Sequence, residues 1–317
     1  MVASLVELFR TLASFAPARR DLAGAPWEAY VDWAIANGLG PLAAYNLEYR
    51  LGGAGAPEWA RDRLLSVYQG SLNDNVMRLV NFKRALAGLE GRKVVLLEAA
   101  SFAEALYPHV GFRPVPYLRV AVGRGEVEGL AGFLGQSEFR PAPDLADPAG
   151  ADRALTDDRT QVFVHGGLLD DGPLFRALAL PVFGPSAYRL DLEDAVLSLC
   201  HQQARRGYEV EAVGFVDLRE LLLGAPSVSG AYSRPCDFAL LRTRAKALSL
   251  ERALYASASI VGRLFPDAAE VARRAAPELG LAARGLLDAV VVAPLSEPGR
   301  TRTLRGADQV RRALAGG

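Results

Sequence analysis

The spacing of apolar residues changes twice along the chain, and the two changes divide it into regions of different secondary structure. Between Trp59 and Leu89, apolar side chains recur every three or four residues, which predicts one long amphipathic helix over 57–91. From residue 93 the apolar runs are short and rich in β-branched residues, as strands are. Helical spacing returns after Asp191, the expected N-cap of the next helix. This order predicts a small sheet with helices before and after it.

Four regions follow from these changes. We assign a helical region to residues 1–91, an α/β core to 92–186, a second helical region to 187–293 and a polar, arginine-bearing tail to 294–317. The predicted fold class is α+β and predominantly α, with the strands gathered in one small mixed sheet.

The core region carries the signals that position its strands and helices. Its predicted strands are 93–97, 117–122 and 160–165. A short helix is predicted over Ser101–Tyr107, because Ser101 can act as its N-cap and Glu104 stands at the capping-box position. The stretch 141–158, rich in Pro, Ala, Asp and Gly, is predicted to be a loop.

The charge balance and the small number of metal-ligating residues exclude several classes of function. The 36 Lys and Arg residues balance 36 Asp and Glu residues, so we do not expect a nucleic-acid-binding protein that relies on bulk positive charge. Cys200 and Cys236 are too few for a disulfide scaffold or a cysteine-rich metal site, and three histidines do not indicate a dedicated zinc or iron site. Cys200 falls on an apolar helix face and is expected to be an inert packed thiol.

No segment predicts a membrane protein. The first 20 residues form an amphipathic helical pattern without the basic start and the apolar centre of a signal peptide. No run approaches the ~20 apolar residues of a transmembrane helix. We therefore expect a cytoplasmic protein that does not contact a membrane.

Five short segments carry motifs of a known family. They are NGLGPL at 37–42, LLEAASFAEALY at 96–107, GFRP at 111–114, YLRVAV at 117–122 and GFVDLREL at 214–221. Together they resemble the uncharacterised nucleotidyltransferase family of the polymerase-β-like superfamily, and the resemblance extends from about residue 37 to about residue 265. It implies a nucleotidyltransferase-like core, in which a small mixed sheet is flanked by N- and C-terminal helices.

The resemblance also implies what catalysis in that superfamily requires. A glycine-containing turn after the first strand lets backbone amides approach the triphosphate. Two carboxylates lie two residues apart on the next strand and so point the same way. With a third carboxylate, they hold two divalent ions that align the nucleophile and neutralise the transferred phosphoryl group.

This chain departs from the family pattern at each of those positions. Glu98 and Ala99 stand where the family has a Lys-Gly pair. The three carboxylate positions are occupied by Tyr117, Arg119 and Phe163. A cation about 4 Å from a guanidinium is repelled by about 4 kcal/mol at an effective dielectric constant of about 20, and neither Tyr nor Arg supplies the carboxylate oxygens that suit Mg²⁺. We therefore expect no metal site and no cofactor.

The leading prediction is a pseudoenzyme: a degenerate nucleotidyltransferase retained as a binding or assembly protein with a protein partner. An ion pair between Arg119 and Glu98 is predicted to close the vacated cavity. One alternative is an active enzyme that transfers NMP from NTP, with Mg²⁺ held by relocated carboxylates such as Glu98, Glu126 or Asp158. The other alternative is a protein that binds nucleotides or other anions without metal, through Arg113 and Arg119.

The histidines give weaker signals. His201 and Asp217 lie on successive predicted helices and are expected to form a buried polar pair that ties the helices together. His165, at the end of the third strand, is expected to be a hydrogen-bonded structural residue, with a general base as the alternative. His109 lies in a predicted loop, and nothing in its surroundings singles it out.

Overall fold

The computed structural model describes residues 4–292, apart from residues 90, 146, 148–149, 170, 209–210 and 225–229. The predicted polar tail, 294–317, lies outside the described residues. Helices dominate the described part of the chain and its strands form one mixed sheet, which confirms the predicted α+β, predominantly α class.

Seven strands of the described chain form the sheet. They are β1 (Val94–Leu97), β2 (Leu118–Val122), β3 (Arg140–Pro141), β4 (Arg153–Thr156), β5 (Gln161–Gly166), β6 (Leu178–Ala179) and β7 (Ala187–Arg189). Their order across the sheet is β3-β4-β5-β2-β1-β7-β6. β1 is parallel to β7 and β2 is parallel to β5, while the other neighbours are antiparallel. β1 and β2 are buried along their whole length, which explains why the sequence shows them as apolar runs interrupted only by Arg119.

The helices precede, interrupt and follow the sheet. Before it come α1 (Leu5–Leu12), α2 (Trp27–Ala36), α3 (Gly40–Tyr45) and α4 (Glu58–Leu86). Within the core region lie α5 (Glu98–Ala105), α6 (Val127–Gly135) and α7 (Gly172–Arg176). After it come α8 (Leu192–Arg205), α9 (Val213–Leu223), α10 (Phe238–Ala247), α11 (Glu251–Leu264), α12 (Ala269–Ala275) and α13 (Leu281–Leu287). Short 3₁₀ or π-helical turns occur at Asn46–Arg50, Arg124–Glu126, Pro181–Phe183, Pro266–Ala268 and Asp288–Val292.

The helices pack in two groups. The long predicted helix, α4, packs against α2 and α3, whereas α8 packs against α9, α10 and α11. The N-cap predicted for α8 is confirmed, since the carboxylate of Asp191 accepts the backbone N–H of Asp194 at 2.9 Å. None of the helices in the described part of the chain is both long enough and apolar enough to traverse a bilayer.

The start of α5 differs from the prediction. The helix begins at Glu98, directly after β1, and Leu97 is its N-cap. Ser101 is buried inside the helix, where its hydroxyl lies 3.4 Å from the hydroxyl of Tyr232. No loop separates β1 from α5, and Glu98, with a φ of +47°, turns the chain from the strand into the helix. Ser101 therefore lies within the helix and does not form the predicted capping box.

The predicted loop over 141–158 is wrong in part. It contains β4 and the last residue of β3, which extend the sheet beyond β5. Leu155 is the one buried residue of β4, so this short strand lacks the apolar alternation by which a strand is recognised in a sequence. β7 begins at Ala187, just past the predicted end of the core at 186, and pairs with β1.

A buried asparagine on α4 fixes the segment that leads into β2. Asn75 Nδ2 donates to the carbonyl oxygens of Val110 and Arg113, at 2.6 and 2.7 Å. Its Oδ1 accepts the N–H of Val115 at 2.9 Å. Asn75 is only 1% exposed, so water cannot easily replace these bonds. The path of the chain toward Tyr117 therefore depends on one side chain of the N-terminal helical region.

Replacing Asn75 with alanine is expected to lower the free energy of unfolding by about 2–4 kcal/mol, because buried backbone groups lose their partners. Urea denaturation measures the loss. Asn73→Ala, at an exposed position of the same helix, is the matched control and is expected to change stability by no more than about 0.5 kcal/mol. Equal losses in the two variants would contradict the role assigned to Asn75.

Candidate functional site

The register of the sheet brings the substituted positions to one face. Arg119 on β2 lies opposite Leu97 on β1 and opposite Phe163 on β5. Side chains of paired residues share a face, as do residues two apart on a strand. Tyr117 and His165 therefore belong to the same face as Arg119.

The predicted ion pair between Arg119 and Glu98 is confirmed, but the prediction that it closes the cavity is wrong, because two clefts remain open beside Arg119. Nη1 of Arg119 donates to both carboxylate oxygens of Glu98, at 2.9 and 3.1 Å. The two side chains are only 5% and 14% exposed. Burial raises the pKa of the Glu98 carboxyl, and the guanidinium of Arg119 opposes that rise. Glu98 and Ala99 open α5, so this pair joins the end of β1 to the middle of the sheet.

Two further groups contact the Arg119 guanidinium. Asp147 Oδ2 lies 3.6 Å from Nε of Arg119 and 3.1 Å from Nε2 of His165. The same imidazole nitrogen lies 3.2 Å from Nη2 of Arg119. Because one ring nitrogen either accepts from Arg119 or donates to Asp147, the imidazole makes one of these bonds at a time. Arg119 is thus compensated by two carboxylates, and His165 is hydrogen-bonded as predicted.

Aromatic rings lie at the other two positions where the family resemblance implies carboxylates. The rings of Tyr117 and Phe163 meet edge to face, with centroids 5.3 Å apart and an interplanar angle of 82°. Phe163 is buried and Tyr117 is half-buried. Burial raises the pKa of the Tyr117 hydroxyl, and the nearby Glu98 carboxylate adds to the rise. A neutral phenol and a phenyl ring offer no carboxylate oxygen to a divalent ion.

The comparison with known proteins concerns the same stretch of chain that builds this face. The family model for uncharacterised nucleotidyltransferases matches residues 23–266. The chain belongs to that family. Searches of curated proteins and of solved structures gave no match. The matched residues include β1, β2 and β5, so the strands that form the face around Arg119 lie within the family domain.

The predicted pair of His201 and Asp217 is wrong. Asp217 is fully buried, and its Oδ2 lies 2.9 Å from Nη2 of Arg113. Its Oδ1 accepts the hydroxyl of Tyr107 at 2.7 Å. α9 therefore turns Asp217 toward the α5–β2 segment rather than toward α8, where His201 lines a cleft beside Arg119. Burial raises the pKa of Asp217, and the Arg113 guanidinium opposes that rise.

The two guanidinium groups predicted to bind an anion, those of Arg113 and Arg119, both form ion pairs with carboxylates of the same chain. Arg113 is only 12% exposed, and its Nε and Nη2 both bind Asp217. Arg119 is 5% exposed and binds Glu98 and Asp147. The structure thus gives each of these arginines a carboxylate partner.

The relocated carboxylates proposed for an active enzyme are not gathered into one site. Glu126 Oε2 accepts the N–H of Gly123 at 3.0 Å. Asp158 is exposed and forms an ion pair with Arg140. Among the described residues, no three His, Cys, Asp or Glu side chains are grouped so that they can hold a metal ion. Of these three carboxylates, Glu98 is the one that lies beside Arg119, and it is held there in an ion pair.

The remaining candidates lie apart from this face. The Nδ1 atom of His109 is 3.4 Å from the Tyr68 hydroxyl, and it accepts the N–H of Gly111. Cys200 is buried, and burial raises the pKa of its thiol to about 12. An unreactive thiol is what the apolar helix face predicted for Cys200.

Two clefts open beside Arg119 and share its side chain. The first, called here the histidine cleft, has a volume of about 480 Å³. Its charged and titratable lining, besides Arg119, includes Arg124, Asp152, His165, His201 and Arg205. The second, called here the tyrosine cleft, has a volume of about 280 Å³. Its corresponding lining, besides Arg119, is Glu98, Arg113, Tyr117, Arg206 and Glu211.

Sequence reasoning missed two members of these networks. Asp147 lies in a stretch with several other aspartates, and no periodicity marks it as the one that reaches Arg119. Tyr107 closes one of the family motifs, which signals a role for it, but its partner Asp217 is 110 residues away.

Asp217→Asn is expected to destabilise the protein by about 3–5 kcal/mol, because it leaves the buried Arg113 guanidinium without a charge partner. Urea denaturation at neutral pH measures the loss. His201→Gln, at the other position of the predicted pair, is expected to cost less than about 1 kcal/mol. If His201→Gln were as damaging as Asp217→Asn, the contacts assigned to Asp217 would be incomplete.

Proposed function

We propose that this protein is a catalytically inert member of the nucleotidyltransferase family that acts as a binding or assembly protein. The observation that carries the proposal is the position of Arg119. The family resemblance implies a metal-binding carboxylate at this position, and the charge of Arg119 is compensated by Glu98 and Asp147. Internal ion pairs therefore stand where the family would hold divalent ions.

Two electrostatic terms oppose metal binding at this face. The guanidinium alone repels a divalent cation about 4 Å away by about 8 kcal/mol at an effective dielectric constant of about 20, and the carboxylates that offset this repulsion are those already paired with Arg119. If Glu98 turned to a metal ion instead, Arg119 would lose a partner while buried. Breaking a buried ion pair in this way costs about 3–5 kcal/mol. Both terms favour a protein that does not use divalent ions for nucleotidyl transfer.

The two open clefts support a role in binding, because a purely structural protein would need no open cleft at this face. Tyr117 and Phe163 replace acids with rings, yet the histidine cleft and the tyrosine cleft retain about 480 and 280 Å³. Volumes of this order are found in small-molecule sites. A protein partner, expected from the degenerate chemistry, remains the second part of the proposal.

The proposal is tested with Mn²⁺, whose free-ion electron paramagnetic resonance signal disappears on binding. The natural protein is expected to bind Mn²⁺ more weakly than about 1 mM and to release no pyrophosphate from any NTP. The double variant Tyr117→Asp/Arg119→Asp removes the positive charge and places two carboxylates two residues apart beside Glu98. It is expected to gain Mn²⁺ binding.

The matched control is Tyr49→Asp/Arg50→Asp, which makes the same change of composition at exposed positions. It is expected to leave Mn²⁺ binding as weak as in the natural protein. Micromolar Mn²⁺ binding by the natural protein, or NMP transfer that EDTA abolishes, would refute the proposed function. Circular dichroism confirms that each variant is folded.

A further inference from the structure

The histidine cleft carries cationic groups that no carboxylate fully engages. Arg205 is exposed on α8 and forms no ion pair within the described part of the chain. Its Nη2 lies 3.4 Å from the position that a Cβ would take at Gly150. Since Gly150 lines the cleft, the Arg205 guanidinium lies at the cleft wall. Arg124 is 72% exposed and forms one long ion pair, in which its Nε lies 3.6 Å from Asp171 Oδ2. Arg205 has no carboxylate partner in the described chain, and the exposed Arg124 guanidinium has donors left for a ligand.

Glycine at position 167 fixes where Arg124 lies. Its φ of +89° falls in the region that side chains rarely adopt. A Cβ at this position would stand 2.5 Å from Asp171 Oδ1 and 3.1 Å from Nε of Arg124. Any larger residue would push Arg124 away from the loop after β5. The missing side chain at Gly167 therefore leaves the space that the Arg124 side chain occupies beside the cleft.

The balance of charge in the cleft favours an anion. Its one lining carboxylate, Asp152, accepts the N–H of Gly166 at 2.6 Å and is engaged by the backbone. His201 is half-buried in the same wall, and burial, together with the neighbouring Arg205 and Arg119, lowers the pKa of its imidazole. The lining thus has three guanidinium groups and one carboxylate, an excess of positive charge.

The donors in the cleft favour a phosphate group. Arginine forks match the geometry of phosphate oxygens. The nearby backbone amides are used within the fold, since Gly166 donates to Asp152 and Gly167 donates to the carbonyl of Val122. Side chains must therefore hold the anion. A metal ion is not required, because the guanidinium groups themselves supply the positive charge.

The shape of the cleft limits the rest of the ligand. A volume of about 480 Å³ exceeds what one phosphate ion fills. No Phe, Tyr or Trp is found among its described lining residues, so it offers no platform on which a nucleobase would stack. Its apolar lining is aliphatic and includes Leu168, Leu169, Leu248 and Leu250.

From these contacts we propose that the histidine cleft binds a phosphorylated aliphatic small molecule, whose phosphate is held by Arg124, Arg205 and His201 without a metal ion. The site lies on the far side of the Arg119 ion pairs from Tyr117. It goes beyond the proposed function and stands whether or not the family's reaction is lost.

Isothermal titration calorimetry on the full chain, in EDTA, tests the site with glycerol 3-phosphate and with glycerol as the uncharged probe. Glycerol 3-phosphate is expected to bind with a Kd below about 1 mM, and glycerol to give no heat. Arg124→Gln/Arg205→Gln is expected to raise the Kd at least about tenfold. Arg63→Gln/Arg273→Gln, at two exposed arginines outside the cleft, is the matched control and should leave the Kd unchanged.

Proton NMR of the imidazole signals gives a second readout, since the chain has three histidines and His201→Gln assigns one of them. The pKa of His201 is expected to rise on saturation with glycerol 3-phosphate, because a bound anion stabilises the imidazolium. The other charged or titratable groups of the cleft are Arg119, Arg124, Asp152, His165 and Arg205.

Absence of binding, an unchanged Kd in Arg124→Gln/Arg205→Gln, or an unmoved His201 pKa would overturn the site. A further titration with ATP, in the presence and absence of Mg²⁺, distinguishes failure of this site from failure of the proposed function. If ATP bound only with Mg²⁺ and glycerol 3-phosphate did not bind, both proposals would fail. If both ligands bound, ATP with Mg²⁺ and glycerol 3-phosphate without it, only the proposed function would fail.

Discussion

A guanidinium buried in the middle of the sheet is the constraint on which the rest of this face depends. Arg119 lies on β2, between β1 and β5, with 5% of its side chain exposed. An unpaired charge there would cost several kcal/mol in lost hydration, so the fold must bring carboxylates to it. Glu98 comes from the end of β1, at a backbone angle that few non-glycine residues adopt, and Asp147 comes from the segment between β3 and β4. The strained turn and the connection between β3 and β4 each bring one carboxylate to Arg119.

A second arginine–carboxylate ion pair lies at the junction between the core and the C-terminal helices. Arg113, just before β2, is paired with Asp217 on α9, and Tyr107 donates to the same carboxylate. In a metal-dependent nucleotidyltransferase the acidic side chains of the site are balanced by divalent ions. Here Arg113 and Arg119 are each paired with an acid of the same chain. The acids that pair with Arg113 and Arg119 are therefore supplied by the fold itself.

The sequence predicts well those elements that depend on interactions between residues close together in the chain. β1 and β2 are buried on both faces and so appear as apolar runs, the helical spacing of apolar residues predicts α4, and Asp191 caps its own helix. The positions of Tyr117, Arg119 and Phe163 on one face follow from strand period and family motifs. What it misses depends on contacts distant in the chain. β4 buries only Leu155, and the capping signal at Ser101 yields to a strand that runs directly into α5.

The partners of charged residues are the hardest part to predict, because helical and strand spacing tell which face a side chain occupies but not what lies opposite. Arg113, Arg119, Arg124 and Arg205 look alike in an arginine-rich sequence, yet the fold separates them into two kinds. The first two are buried and bound to carboxylates, so they contribute to the fold. The last two are exposed, and an exposed guanidinium keeps its hydration and costs the folded state little. A charge that stability does not require can be held at a cleft for a ligand, and burial is the property that distinguishes the two kinds.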